Sequence, residues 1–152
     1  MTRRQALFLA TLGSALLMAS AYAFQHIGGM APCKMCIWQR YPHVIAIVIG
    51  GIALATGTRW LALCGAAAAA TTSAIGFYHA GVEQGWWEGP STCTSGAIDN
   101  LSPDALLDQI LSAPLVRCDD IPWEMFGISM AGWNGLVSLV LVSFWLTAFR
   151  RA

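Results

Sequence analysis

Residues 7–24 read LFLATLGSALLMASAYAF, a run that contains no charged side chain. A helix needs about 20 mostly apolar residues to cross the hydrocarbon layer of a bilayer, so this run predicts a membrane span at about residues 6–24. Further apolar runs predict three more spans, at about residues 37–56, 60–78 and 128–149. The predicted fold class is therefore all-α, with residues 1–152 forming a single membrane domain, an integral membrane four-helix bundle.

The composition agrees with a membrane protein. Hydrophobic residues make up 57% of the chain and charged residues 11%, whereas soluble domains average about 45–50% and about 25%. Eight basic and eight acidic residues are too few to cover the surface of a soluble domain. The formal net charge of zero leaves no basic surface to neutralise phosphates. An ordinary soluble enzyme, a disordered tail and a nucleic-acid binder are all disfavoured.

The charges are segregated along the chain. All eight acidic residues lie between positions 83 and 124, in or beside a long loop at about residues 79–127. Five arginines flank the spans on the opposite side: Arg3, Arg4, Arg59, Arg150 and Arg151. Because cytoplasmic segments are enriched in arginine and lysine, we expect a multi-pass protein of the bacterial inner membrane with both termini cytoplasmic. The long loop is then periplasmic.

The first span has an alternative interpretation. Its leading arginines, apolar run and Ala21-Tyr22-Ala23 also resemble a secretory signal peptide with a small-residue cleavage site. The apolar run is longer than the usual 7–15 residues or so of such a peptide, which favours a retained helix. The charge distribution fits both, because the later spans would keep their orientation.

The long loop contains one helical signal. Ser102-Pro103-Asp104 offers an N-cap, a proline at the first helical position and an acid in the first turn. An apolar face follows before Pro114. Because about ten residues cannot span a bilayer, we expect a short interfacial helix. A helix packed on the loop itself is the alternative.

Four of the five cysteines fall on the predicted periplasmic side: Cys33, Cys36, Cys93 and Cys118. Thiols in that compartment meet oxidising conditions, and four cysteines allow three disulfide connectivities. A C-x-x-C such as that of Cys33 and Cys36 occurs in redox dithiols and in zinc sites. The spacing of all four differs from that of a zinc ribbon, so no metal is expected. Cys64 lies inside the third span and is expected to be a packing residue.

Arg40 is expected to act on Cys36. If the second helix begins near Pro32, Cys36 lies in its first turns, where the helix dipole favours a thiolate. Arg40 follows four residues later on the same helix face, and a cation beside a thiol makes it a better nucleophile and leaving group. A charge at membrane depth is costly and usually functional. Snorkelling to a lipid phosphate is the alternative role.

The loop cysteines and His79 each allow two interpretations. Taken alone, Cys93 and Cys118 would form a structural disulfide that staples the loop. Beside a C-x-x-C at the membrane edge, they suggest a relay. His79, near Glu83 at the outer end of the third span, is either a hydrogen-bonded interfacial histidine or a proton-handling group near the redox site.

The chain resembles the DsbB family of disulfide bond formation proteins. Residues 32–42, PCKMCIWQRYP, match the family pattern P-C-x-x-C-x-x-[QE]-R at the start of the second span. Residues 77–83, FYHAGVE, and the run from Cys118 through Trp123 to Trp133 also follow the family. The extra Cys64 and the residues around Cys93 depart from it.

The resemblance implies a thiol:quinone oxidoreductase that reoxidises a periplasmic DsbA-like protein of thioredoxin fold. The partner would attack a Cys93–Cys118 disulfide at Cys93, and the released Cys118 would attack Cys33. Cys36 would then face a quinone, ubiquinone or menaquinone, drawn from the membrane pool. The cofactor-binding residues it implies are Arg40 and His79.

Two other functions remain open from the sequence. A vitamin K epoxide reductase-like protein is also a small helical membrane protein with a C-x-x-C and a quinone. Its C-x-x-C is expected late in the chain, whereas the only one here is early. A non-enzymatic membrane protein with structural loop disulfides would have no reactive thiolate and no use for an arginine on the helix face of Cys36.

Overall fold

Four helices make up most of the part of the chain that the structure describes. The computed structural model describes residues 1–94, 102–104, 107, 111 and 116–151. Each helix is long and apolar enough to cross a membrane, and the predicted four-helix membrane bundle is confirmed. The helices are α1 (Arg3–His26), α2 (Lys34–Thr56), α3 (Leu61–Glu83) and α4 (Met130–Arg150).

Three helices extend three or more residues beyond the apolar runs that predicted them, and α2 does so by beginning at Lys34 rather than near residue 37. α1 begins at Arg3 because Thr2 forms a capping box: its side chain accepts from the backbone N–H of Gln5, and the Gln5 side chain accepts from the backbone N–H of Thr2. α3 continues to Glu83 rather than ending near residue 78. His79 and Glu83 are therefore helical residues that belong to the bundle.

Small residues set the spacing of the helices. α3 lies between α2 and α4, and α1 packs on α2 and α4. A Cβ added at Gly76 would lie 2.8 Å from the backbone N of Gly135, so α3 and α4 touch through their backbones. Gly65 similarly accommodates the fully buried ring of Trp145. Close approach at small residues is how helices pack where lipid removes the hydrophobic driving force.

The chain enters α4 through a β-hairpin that the sequence analysis did not predict. β1 (Glu124–Met125) and β2 (Ile128–Ser129) pair antiparallel. The two turn residues, Phe126 and Gly127, have φ angles of 55° and 74°, the backbone signature of a tight hairpin. Ser129 then caps α4 by accepting from the backbone N–H of Gly132. The interfacial helix predicted after Ser102 lies largely outside the described residues.

Candidate active site

The C-x-x-C motif forms the N-terminus of α2. Cys33 is the N-cap, and its Sγ accepts from the backbone N–H of Cys36 at 3.2 Å. The two Sγ atoms lie 3.0 Å apart, with Cys33 donating. This hydrogen bond, together with burial, raises the pKa of the Cys33 thiol well above its usual range. Cys33 thus keeps its proton, and Cys36 lies in the first helical turn, where the helix dipole stabilises negative charge.

The loop cysteines form a disulfide next to this motif. Cys93 and Cys118 are bonded to each other and are both buried, which is the pairing that the family resemblance implied. The sulfurs of Cys33 and Cys118 and a ring nitrogen of His79 all lie within 4.8 Å of one another. The fold therefore brings the two cysteine pairs together, although they are far apart in sequence.

His79 lies between the two pairs. Its Nε2 is 3.5 Å from Cys33 Sγ, 3.2 Å from the carbonyl oxygen of Cys118 and 3.8 Å from Glu83 Oε1. Its Nδ1 is 2.9 Å from Gln39 Nε2, which can only donate. Nδ1 must therefore accept, and a neutral His79 carries its hydrogen on Nε2. That hydrogen faces the sulfur of Cys33 and the backbone of Cys118.

A polar network that sequence reasoning missed continues from Gln39 into the bundle. Asn134 Nδ2 donates to Gln39 Oε1 at 2.7 Å and contacts Thr72 Oγ1 at 3.1 Å. Thr72 donates to the backbone oxygen of Gln39, and His43 Nε2 lies 2.9 Å from Asn134 Oδ1. The available signal was the polarity of these residues inside apolar spans, because uncompensated polar groups are costly there.

A cavity of about 280 Å³ opens beside Cys36, close to the lower end of the range of about 300–1,000 Å³ typical of small-molecule sites. It lies between α1, α2, α4 and the hairpin. Most of its wall is apolar, and its polar lining includes Ser20, Cys36, Gln39, Arg40, His43 and Asn134. A thiol, a cation and apolar walls together suit a flat, uncharged ring whose oxygens can gain negative charge.

Arg40 and His79, which the sequence analysis grouped together, occupy different places. Arg40 lines the cavity, donates to Gln25 Oε1 at 2.6 Å and lies 5.0 Å from the centre of the Tyr22 ring. These contacts hold the guanidinium beside the cavity. His79 is not among the cavity-lining residues that the structure describes, and it contacts Cys33 Sγ and the carbonyl oxygen of Cys118 instead. Cys64 is exposed on α3 and does not line the cavity, so the expectation that it packs inside the bundle is wrong.

The cluster of Cys33, His79 and Cys118 has the spacing of metal ligands. Zinc binds cysteine as the thiolate. The sulfur of Cys118 is held in the disulfide with Cys93, so in this redox state it offers no thiolate.

Comparison with known proteins gives consistent matches. The family described as "Disulfide bond formation protein DsbB" matches residues 3–148. A Disulfide bond formation protein B of Albidiferax ferrireducens is 31% identical, over 93% of this chain and 87% of its own length. That of Verminephrobacter eiseniae is 30% identical over 99% and 90%. Disulfide bond formation protein B 2 of Pseudomonas aeruginosa is 32% identical over 81% and 76%. No solved structure gives a significant match.

Proposed function

Because this chain belongs to the DsbB family of disulfide-forming membrane proteins, we propose that it is a thiol:quinone oxidoreductase. It reoxidises a periplasmic DsbA-like dithiol protein and passes the electrons to ubiquinone or menaquinone. The observation that carries this proposal is the position of the C-x-x-C pair. Cys33 lies within reach of Cys118, whose sulfur is within 4.8 Å, while Cys36 lines the apolar cavity.

The first step takes place at the loop disulfide. A thiolate of the partner attacks Cys93, a partner–Cys93 bond forms, and Cys118 leaves as a thiolate. Both loop cysteines are almost completely buried, with Cys93 only 1% exposed. The loop must therefore move aside as the partner docks.

The second step transfers the oxidation from the membrane pair to the loop. Cys118 attacks Cys33 of an oxidised Cys33–Cys36 pair, so a Cys118–Cys33 bond forms and Cys36 leaves as a thiolate. The proton on Nε2 of His79 faces Cys33 and can stabilise negative charge on sulfur during the exchange. The second thiol of the partner then displaces Cys93, and the partner departs oxidised.

The third step takes place in the cavity. A quinone, when bound, accepts two electrons and two protons, which are the electrons and protons that the partner dithiol loses. Cys93 attacks Cys118 of the Cys118–Cys33 disulfide, so the loop disulfide re-forms and Cys33 leaves as a thiolate. Cys33 and Cys36 then bond to each other, and the two electrons that this bond releases would pass through Cys36 to the quinone. Arg40, which lines the cavity beside Cys36, would stabilise negative charge on the Cys36 thiolate and on a bound ring, and the apolar wall would exclude water.

The proposed function also implies a location and an orientation for the protein in the membrane. The four site cysteines face the periplasm of a bacterial inner membrane, where the partner is found, and both termini lie in the cytoplasm. The arginines that flank the spans support this orientation. The family match disfavours a vitamin K epoxide reductase-like enzyme. A non-enzymatic protein with purely structural disulfides is also disfavoured, because it would not need the Cys36 thiol to line a cavity.

The direct test is quinone reduction by the purified protein. Reduced DsbA-like protein and a short-chain ubiquinone are supplied, and loss of quinone absorbance is followed. We expect turnover by the wild type and by Cys64→Ala, and none by Cys36→Ala. Absence of turnover by the wild type, with a partner that it demonstrably oxidises once, would refute the quinone step.

The order of attack has its own test. Cys118→Ala leaves Cys93 as a free thiol that can attack the disulfide of the oxidised partner, and it removes the thiol that would resolve the product. A partner complex linked through Cys93 should therefore accumulate when oxidised partner is added. Cys93→Ala should form no such complex. Partner capture that survived Cys93→Ala and required Cys118 would show that the order is reversed.

A further inference from the structure

His43 lies on the wall of the cavity without a role in the proposed chemistry. It follows Cys36 by seven residues and Arg40 by three, which places all three on one face of α2, and all three line the cavity. Its side chain is only 3% exposed. A buried polar side chain at membrane depth is costly unless its polar atoms are paired.

The hydrogen bonds around Asn134 determine which nitrogen of His43 carries the hydrogen. Asn134 Nδ2 is a donor and is directed at Gln39 Oε1 and Thr72 Oγ1. Asn134 Oδ1 is therefore the atom that faces His43 Nε2 at 2.9 Å, and it can only accept. It follows that His43 Nε2 carries a hydrogen, so Nδ1 of the neutral ring is an acceptor.

The Nδ1 atom of His43 has no hydrogen-bond partner among the described residues. Buried side-chain nitrogens are almost always paired, so an unpaired acceptor on a cavity wall points to a donor that arrives with a ligand. The two oxidation states of a quinone differ in this respect. The oxidised ring carries carbonyl oxygens, which cannot donate, whereas the reduced ring carries hydroxyl groups, which can.

We propose that His43 recognises the reduced ring, with Nδ1 accepting a hydrogen bond from one hydroxyl group of bound quinol. This inference rests on the proposed function and adds a residue that distinguishes product from substrate. By binding quinol more tightly than quinone, His43 favours reduction inside the cavity. The hydroxyl hydrogen stays on oxygen, so no further oxidant, reductant or proton is required.

The test is equilibrium binding of a short-chain ubiquinone and of its quinol, without oxygen. The full chain is used with its four site cysteines oxidised to disulfides, so that no dithiol consumes the quinone. Binding is followed by the fluorescence of the two cavity tryptophans, Trp123 and Trp133. In His43→Leu the side chain offers no acceptor in place of Nδ1 and carries no polar group that needs a buried partner. We expect its Kd for quinol to rise about fivefold, the size of one net hydrogen bond, with its Kd for quinone nearly unchanged.

Ser138→Ala is the matched control. Ser138 contacts the same Asn134 oxygen at 3.4 Å but is not a lining residue of the cavity, so both Kd values should stay at the wild-type level. His43→Gln, whose amide can donate to Asn134 and still offers an acceptor oxygen, serves as a second variant and should lose less affinity for quinol than His43→Leu. Equal weakening of both forms, or no change in either, would overturn the role of His43 alone. A wild-type protein that binds neither form would overturn the proposed quinone site as well.

Discussion

Cys33 and Cys36 are neighbours on one helical turn, yet their surroundings differ in kind. Cys33 is buried against His79 and the loop disulfide, and Cys36 borders the apolar cavity with Arg40. In the proposed function, this pair of sulfurs connects the loop disulfide, where the partner reacts, with the cavity, where the quinone reacts. Each residue-scale prediction therefore affects one half of the reaction and spares the other.

Replacing Arg40 should slow the cavity half. We expect Arg40→Met to reduce quinone turnover roughly tenfold or more, because the Cys36 thiolate loses the positive charge beside it. A loss of about 1.4 kcal/mol in the stability of the thiolate corresponds to one tenfold change. Arg40→Lys should restore part of the rate, since it keeps the charge without the planar fork. Steady-state quinone reduction over a range of quinone concentrations measures the loss.

The companion assay is a single turnover of partner oxidation by the loop disulfide. It should be nearly unaffected by Arg40→Met, because Arg40 contacts Gln25 and Tyr22 rather than the loop. Lys34→Met is the matched control: Lys34 begins the same helix but is exposed and is not a cavity-lining residue. Equal losses in both assays would mean that Arg40 supports the fold instead.

Replacing His79 should slow the exchange between the two pairs. His79→Leu removes the Nε2–H that faces Cys33 Sγ, so formation of the Cys118–Cys33 bond should slow by at least about tenfold, since positioned acid–base groups contribute about 10²–10⁴-fold. Quenched samples resolved by their disulfide linkages measure this rate. His26→Leu, at the exposed end of α1, is the control. If attack on Cys93 slowed equally, His79 would instead hold the loop in place.

At the scale of elements, apolar runs predict the four helices, but capping and tertiary contacts set their ends. The Thr2 capping box makes Arg3 the first residue of α1. α3 extends to Glu83, and its last turns, which include His79, pack against the loop at Cys118. The hairpin before α4 was not predicted because its first turn residue is Phe126, which has a positive φ angle. Turns of this kind are usually recognised in a sequence by Asn, Asp or Gly at that position.

The candidate site also contains some residues that local sequence spacing predicts and some contacts that only the tertiary fold creates. Local spacing identifies the C-x-x-C pair and Arg40, since all lie within two helical turns. The Gln39–Asn134 hydrogen bond joins residues 95 positions apart, and no local sequence pattern predicts such a long-range contact. The approach of Cys118 to Cys33 likewise depends on the folded loop.

The contact between α3 and α4 yields a prediction about stability. Gly76→Ala should lower the free energy of unfolding by about 1–3 kcal/mol, the usual cost of overpacking, because the added methyl meets the backbone of Gly135 and Ala131. Gly51→Ala is the matched control, since a Cβ there meets nothing within 4 Å. Thermal unfolding of both variants in detergent measures the difference. A Gly76→Ala protein as stable as Gly51→Ala would contradict the close backbone approach of the two helices.

At the scale of the whole molecule, the two ends of the bundle differ in chemistry. The disulfide, the C-x-x-C pair and the hairpin lie at one end. At the other, the guanidinium of Arg59, in the turn between α2 and α3, lies 4.6 Å from the ring centre of Phe149 near the end of α4. Trp60 packs on the same Phe149 ring. The α2–α3 turn and the end of α4 therefore share one end of the bundle, opposite the cysteines.

That arrangement makes the orientation testable with reporter fusions. Fusions placed after Arg59 and after Ala152 should give the same signal, active for a reporter that works only in the cytoplasm and silent for alkaline phosphatase, which needs disulfides formed in the periplasm. A fusion near Asp99 should give the opposite pattern. Because the Arg59–Phe149 contact ties the first two sites to one end, opposite signals from them would contradict the fold. Matching signals with active phosphatase would leave the fold intact but reverse the orientation, and would place the cysteines on the reducing side of the membrane.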